Sequence, residues 1–218
     1  MQEREDKQGY FAEDTFKEAL QAFHSGGLII VVDNAHRENE GDLVIAAQDC
    51  TTEKMAFILR YSSGIICTPL SAQKAAELEL PLMVQNNNSL YSTAFTVSVD
   101  AIEGTSTGIS AYDRNLTVNK LAAADSKAGD FCRPGHIFPL IACEGGVLTR
   151  AGHTEAAVDL CSLTHKEPVA VIGELMNDNG TVKKGVQIKQ FADAHKLPII
   201  SVDSLINFRK NDENLSFF

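Results

Sequence analysis

The sequence has no surplus of positive charge. Its 19 Lys and Arg face 29 Asp and Glu, a formal net charge of −10. Nonspecific binding to nucleic acid or to an anionic membrane needs a basic field, and that field is missing. An anionic ligand must therefore be held by a local arginine pocket. A long apolar run is missing too: the longest, near Gly27 to Val32, falls far short of a bilayer span. The first twenty residues are charged throughout and hold no signal-peptide core. These absences point to a cytoplasmic protein with neither a nucleic-acid nor a membrane partner. The five cysteines, Cys50, Cys67, Cys132, Cys143 and Cys161, are odd in number and form no CxxC pair, which indicates neither a disulfide framework nor a zinc knuckle. About four of the five are expected in the core, as free cysteines commonly are. Repeats and low-complexity tracts are also missing.

What is present is an ordinary globular composition, 44% hydrophobic and 22% charged, sufficient to bury a sizeable core. With 218 residues and no linker, a single domain over 1–218 is expected. Short apolar runs alternate with capped amphipathic segments, the pattern of a layered α/β architecture. A helix is expected over Glu13 to His24, closed by Gly26-Gly27 and feeding a strand at Leu28 to Val32. Thr51 or Thr52 and then Ser71 cap helices reaching about Tyr61 and Leu78, with a strand at Ile65 to Cys67 between them. Phe95 to Val99 alternates like a half-buried strand. Ser110 with Asp113 resembles a capping box opening a helix to about Ala124. Strands at Ile137 to Ala142 and Val169 to Leu175 flank a helix starting near Thr154. The alternation continues with a helix at Gln187 to His195, a strand at Pro198 to Val202 and a last helix from about Asp203. Strand order does not follow from these patterns.

Directly after the first strand comes Asp33-Asn34-Ala35-His36-Arg37-Glu38-Asn39-Glu40-Gly41-Asp42. The carboxylates of Glu38, Glu40 and Asp42 repel one another, which raises the pKa of at least one of them unless a cation or an arginine sits among the oxygens. Hard carboxylate oxygens suit Mg²⁺ or Mn²⁺. The competing reading is a solvated acidic hairpin. A second stretch, Gly146-Val147-Leu148-Thr149-Arg150-Ala151-Gly152-His153-Thr154-Glu155, leads into a helical run. Free N–H groups at that helix start, with Arg150 and the Thr154 hydroxyl beside them, make a candidate phosphate cradle whose glycines let the backbone come close. His153 fits a metal ligand, an acid/base or merely a local cap. Thr105 to Ser110 packs hydroxyls and Gly108 before a helix, suiting a phosphate, sugar hydroxyls or a plain turn. Arg133-Pro134-Gly135-His136 reads as a loop before a strand. Glu174 closes an apolar strand, where open α/β sheets place ligands. Together these are the parts for metal-assisted chemistry on a phosphorylated sugar. Spacing alone does not show that Glu38 and His153 meet.

Four ordered segments carry a family resemblance: Arg37 to Leu43, Ser106 to Ala111, Arg133 to Leu140 and Gly146 to Ala156. They resemble the signature segments of 3,4-dihydroxy-2-butanone 4-phosphate synthase, a lyase of riboflavin biosynthesis acting on D-ribulose 5-phosphate. The resemblance implies a three-layer α/β/α fold with a mixed central sheet, a homodimer with active sites near the interface, and a Mg²⁺ requirement, with Mn²⁺ able to take its place. It assigns Glu38 and His153 to the metal. Arg37, Glu38, Asp42, Thr107, Arg150, Ala151, Gly152, His153, Thr154 and Glu174 fall to the substrate, and His136, Glu174, Glu40 and Asp42 to catalysis. The implied chemistry runs through an enediol, loss of water, a skeletal shift and release of one carbon as formate. Two departures stand out. Asp33-Asn34-Ala35-His36 replaces an almost wholly acidic run of many relatives, which bears on loop mobility or surrounding charge. The chain also ends before the GTP cyclohydrolase domain that some relatives fuse after this one, so that second activity is not expected. A Mg²⁺-dependent phosphosugar isomerase or aldolase would use the same parts, and a non-catalytic binding module would keep only the fold.

Overall fold

The computed structural model describes residues 13–211; of the expectations above, those for residues 1–12 and 212–218 lie outside it. The chain opens with α1 (Glu13–His24), whose Phe16, Ala19, Leu20 and Phe23 recur at helical spacing and are all buried. Gly26, at φ +82°, ends it by donating to the Phe23 carbonyl, and Gly27 donates to that of Ala22. A Cβ on Gly27 would lie 2.9 Å from the Ala22 carbonyl oxygen, so the reversal needs glycine there. Then follow β1 (Ile29–Val32), β2 (Gly41–Ala46), α2 (Thr52–Tyr61), β3 (Ile66–Leu70), α3 (Ala72–Glu77), β4 (Val99–Ala101), α4 (Ala111–Ala122), β5 (Phe131–Ile141), α5 (His153–Leu163), β6 (Ala170–Glu174), α6 (Val186–His195), β7 (Ile199–Ser201) and α7 (Val202–Asn211). The Thr51 and Ser71 hydroxyls accept from the Lys54 and Lys74 amides and start α2 and α3 as expected.

The strands form one sheet in the order β4-β5-β3-β6-β2-β1-β7. The pairs β1/β7 and β3/β5 are parallel, and β1/β2, β2/β6, β3/β6 and β4/β5 antiparallel. Side-chain alternation sends Ile30, Leu43 and Ile45 to a core shared with α2, α4 and α6, and Val31, Val44 and Ala46 to one shared with α1, α5 and α7. The central strands are therefore apolar on both faces, which gives the continuous hydrophobic runs seen in the sequence. The architecture is three-layer α/β/α around a mixed sheet, as the resemblance implied.

Four expectations need correction. Phe95 to Val99 is not a continuous strand: Phe95 and Thr96 make isolated bridges to Leu140 and Leu82, and the strand proper begins at Val99, beside a register shift. Arg133 to His136 is not a loop but part of β5, which starts six residues earlier than expected. Gly135 permits this, because a Cβ there would sit 2.0 Å from the Val99 carbonyl carbon on β4. Ser110 caps α4 by accepting from the Asp113 amide, but the Asp113 carboxylate is turned to the 106–108 loop, accepting from Ser106 N, Ser106 Oγ and Gly108 N, so the expected reciprocal box is only half present. Of the cysteines, Cys50 and Cys161 are buried, Cys67 is half-buried, and Cys132 and Cys143 are exposed on β5 and the loop after it.

Candidate active site

At the end of β1 the chain reverses into β2, so the acidic stretch is indeed a hairpin, though not a solvated one. Asp33 organises it. Its buried carboxylate accepts from the amides of Glu38 (3.0 Å) and Glu40 (2.9 Å) and from Arg37 Nη1 (3.0 Å). Arg37 Nη1 also donates to Glu38 Oε2. The Arg37 guanidinium lies 4.7 Å from the centre of the Tyr91 ring, and the Tyr91 hydroxyl donates to the Arg37 carbonyl. Asn34, Ala35 and His36 form the exposed outer turn, with the Asn34 side chain donating to Asp203.

Asp42 sits inside β2, directly opposite Glu174 of β6 in the antiparallel ladder. Burial pushes the Asp42 carboxyl up to about 7, with Glu174, Glu38 and Asp33 adding repulsion against the attraction of His153. Glu174 is exposed and lines the same pocket as Asp42. Partial loss of water, and then the charges of Glu40 and Glu38, raise its pKa as well. His153, the first residue of α5, is buried. Burial alone would discharge it, but Asp42, Glu38 and Asp33 outweigh that and lift it to about 9. Glu38, whose Oε2 lies 3.5 Å from His153 Nδ1, is held below its ordinary pKa chiefly by that histidine and secondly by Arg37.

The α5 N-terminus has Gly152 as its N-cap, with no side-chain bond there. A Cβ on Gly152 would lie 2.6 Å from Arg150 Nη1 and 3.2 Å from Arg37 Nη2, so two guanidiniums flank the free amides of the helix start. Arg150 is fixed by Glu155 Oε2 (2.6 Å), Thr93 Oγ1 (3.0 Å) and the Tyr91 carbonyl (3.1 Å). Arg37, Glu38, Asp42, Arg150, His153, Thr154 and Glu174 line one pocket, closed on its apolar side by Phe95, Leu140 and Ile172.

The remaining candidates lie outside that lining. Glu40 is paired to Lys184 Nζ at 3.4 Å, which also donates to the Glu38 carbonyl. Ala151 is exposed, and Gly152 offers backbone only. His136 and Thr107 belong to a separate unit at the β4–β5 edge, where His136 Nδ1 lies 2.6 Å from Asp100 Oδ2. Sequence reasoning missed Asp33, Tyr91, Asp100 and Glu155 as supports. A signal existed only for Asp33, an acid closing an apolar strand and opening a charged turn.

Three comparisons bear on this geometry. The family model for 3,4-dihydroxy-2-butanone 4-phosphate synthase matches residues 17–208. The chain belongs to this synthase family. Over 195 residues it is 46% identical to the synthase of Proteus mirabilis, covering 89% of this chain and 90% of that protein. It is 48% identical to the riboflavin biosynthesis protein RibBA of Staphylococcus aureus, covering 92% of this chain and 51% of that one. A crystal structure of a synthase in complex with two magnesium ions superposes with a TM-score of 0.89 at 43% identity, covering 92% of this chain and 99% of that one.

The residues of this chain fit a divalent cation of the kind bound in that relative. One ligand atom each from Asp33, Glu38 and His153 falls within 4.8 Å of the others. Asp42 Oδ1 and His153 Nε2 are buried without a hydrogen-bond partner, a costly arrangement that a cation beside them would relieve. Oxygen-rich donors with one imidazole suit Mg²⁺. No helix among the described residues is long and apolar enough to cross a membrane.

Proposed function

We propose that the chain converts D-ribulose 5-phosphate into L-3,4-dihydroxy-2-butanone 4-phosphate and formate, a step of riboflavin biosynthesis. The observation that carries this reading is the pocket in which Glu38 and His153 face Asp42 and Glu174 while Arg37 and Arg150 flank the start of α5. Glu38 and His153 would hold Mg²⁺, with Mn²⁺ able to take its place because both prefer oxygen ligands. The cation, when bound, offsets negative charge developing on adjacent substrate oxygens.

The chain's own groups supply the rest. Arg150, Thr154, Thr107 and the backbone of Ala151, Gly152 and His153 receive the phosphate, since a helix start with a guanidinium beside it matches a dianion in charge and geometry. Arg37 and Asp42 contact the sugar hydroxyls. Asp42, with its pKa about 7, exchanges a proton readily near neutrality, while Glu38 stays ionised. Carboxyls of different proton affinity, with Glu40, Glu174 and His136 among the set, suit a sequence of enediol formation, loss of water, skeletal shift and formate release.

The same proposal takes the chain as a homodimer of one domain each, over 1–218. Thr107 and the half-exposed His136 lie outside the pocket lining, while Ile65, Met83, Leu90, Ile109 and Tyr112 leave large apolar area exposed. A second copy covering that surface would bring its own His136 and Thr107 to the pocket. Five free cysteines suit a reducing cytoplasm.

The test is formate release from ribulose 5-phosphate by purified protein, abolished by EDTA and restored by Mg²⁺. No formate under those conditions sinks the assignment. Product identification separates it from an isomerase or aldolase, neither of which liberates a one-carbon acid.

A further inference from the structure

We propose that Asp100 is a positioning residue for the reaction: its buried carboxylate holds His136 as the Nδ1–H tautomer and leaves Nε2 as the free acceptor. This rests on His136 taking part in turnover, as put forward above. Asp100 is 6% exposed and uses both oxygens on one residue. Oδ1 accepts the His136 backbone amide at 2.8 Å, and Oδ2 meets the ring Nδ1 at 2.6 Å. A carboxylate accepts and cannot donate, so the neutral ring must carry its proton on Nδ1, and the lone pair is left on Nε2. With its side chain 41% exposed, the ring keeps an outer face open to a reactant.

The surroundings hold this arrangement rigid. A Cβ on Gly108 would lie 2.0 Å from Asp100 Oδ2 and 2.7 Å from His136 Nδ1, so the 106–108 backbone closes directly over the pair. Asp113 fixes that loop through its bonds to Ser106 and Gly108. On the strand side, Gly135 donates to Ser98 Oγ beside the β4–β5 bulge. The ring therefore has one orientation, and Thr107 is carried next to it. A histidine that must exchange protons with a substrate needs its acceptor nitrogen fixed in advance, and a carboxylate on the other nitrogen does this.

The tautomer is read by ¹⁵N NMR of the metal-free enzyme at a pH where the ring is neutral, with the His136 signals assigned by their loss in His136→Gln. Wild-type protein should show a protonated Nδ1 and an unprotonated Nε2. Asp100→Asn can keep the backbone bond but presents an N–H to the ring, so it should reverse the tautomer. Its kcat should fall by about 10²-fold or more, with KM and Tm little changed. A wild-type ring protonated on Nε2 overturns the proposal, whether or not the variant folds. Folded Asp100→Asn with wild-type kcat overturns it too, and leaves the assignment of the enzyme intact if His136→Gln is inactive. Full turnover by His136→Gln overturns both this inference and the role of His136.

Discussion

The pocket at the end of β1 and the unit at the β4–β5 edge use the same side chains, carboxylate and imidazole, in opposite electrostatic settings. In the pocket, burial first and then the charges of neighbouring carboxylates raise the proton affinities of Asp42 and Glu174, and Asp42 Oδ1 and His153 Nε2 are left unpaired. At the edge, Asp100 spends both oxygens on His136, and Asp113 is held below its ordinary pKa first by the Ser106 hydroxyl and then by the Ser106 and Gly108 amides. Unsatisfied groups give the first region the character of a receptor, in keeping with the proposed function. Satisfied groups make the second a rigid mount for one ring.

The comparison breaks most visibly in activity. His153→Ala or Glu38→Ala should lower formate release by about 10³-fold or more while circular dichroism remains that of a folded protein, the outcome expected if these two residues hold the cation as proposed. Wild-type turnover in either variant would show that the crowded region is not the reaction centre. Next comes mixing. Glu38→Ala and His136→Ala should each be inactive alone. If pocket and edge unit come from different copies, subunit exchange should restore about one quarter of the wild-type activity, since half of the randomly paired dimers hold one intact site. Zero recovery after exchange would place both regions in one chain's site.

A smaller effect separates the regions by pH in the metal-free protein. Asp42 has a folded pKa raised to about 7, so its favourable contribution is present below the ordinary carboxyl value and is lost as pH rises through about 7. Asp42→Asn should therefore be the more stable protein at pH 8, by about 4 kcal/mol, and nearly equal to wild type near pH 4. Thermal melts at the two pH values check this. Asp113 runs the other way: its folded pKa is lowered, so its contribution is present above the ordinary value and disappears as pH falls through the folded one. Asp113→Asn should lessen the loss of Tm on acidification below about pH 4 by a small amount, and an unchanged acid limb would remove the contrast.

Much of the fold was legible because it is local. The reversal at Gly26-Gly27 and the hydroxyl caps at Thr51, Ser71 and Ser110 act within a few residues of themselves, and they start or stop helices where expected. Phe95 to Val99 misled because an alternating pattern does not specify pairing; Pro134 and Pro139 on β5 lack amides to complete a regular ladder with it. The β5 start misled because Pro134-Gly135 carries turn chemistry, and only the close approach of β4 explains why that glycine lies in a strand. Within the site, Arg37, Glu38, Asp42, Arg150, His153, Thr154 and Glu174 were each visible by chemical type, and the structure gathers them around one pocket.

The sequence by itself determined an acidic α/β chain with a carboxylate-rich turn after its first strand, a glycine-led helix start beside an arginine and the segments of its family, since these depend on composition and short-range order. Only the tertiary structure decided that the turn and the helix start meet, and that His136 is mounted apart from them on Asp100. Strand order is the physical reason. Pairing β6 against β2 brings Glu174 opposite Asp42, and α5 packed on that face of the sheet brings His153 to Glu38, contacts made between residues far apart in the chain that no local pattern encodes.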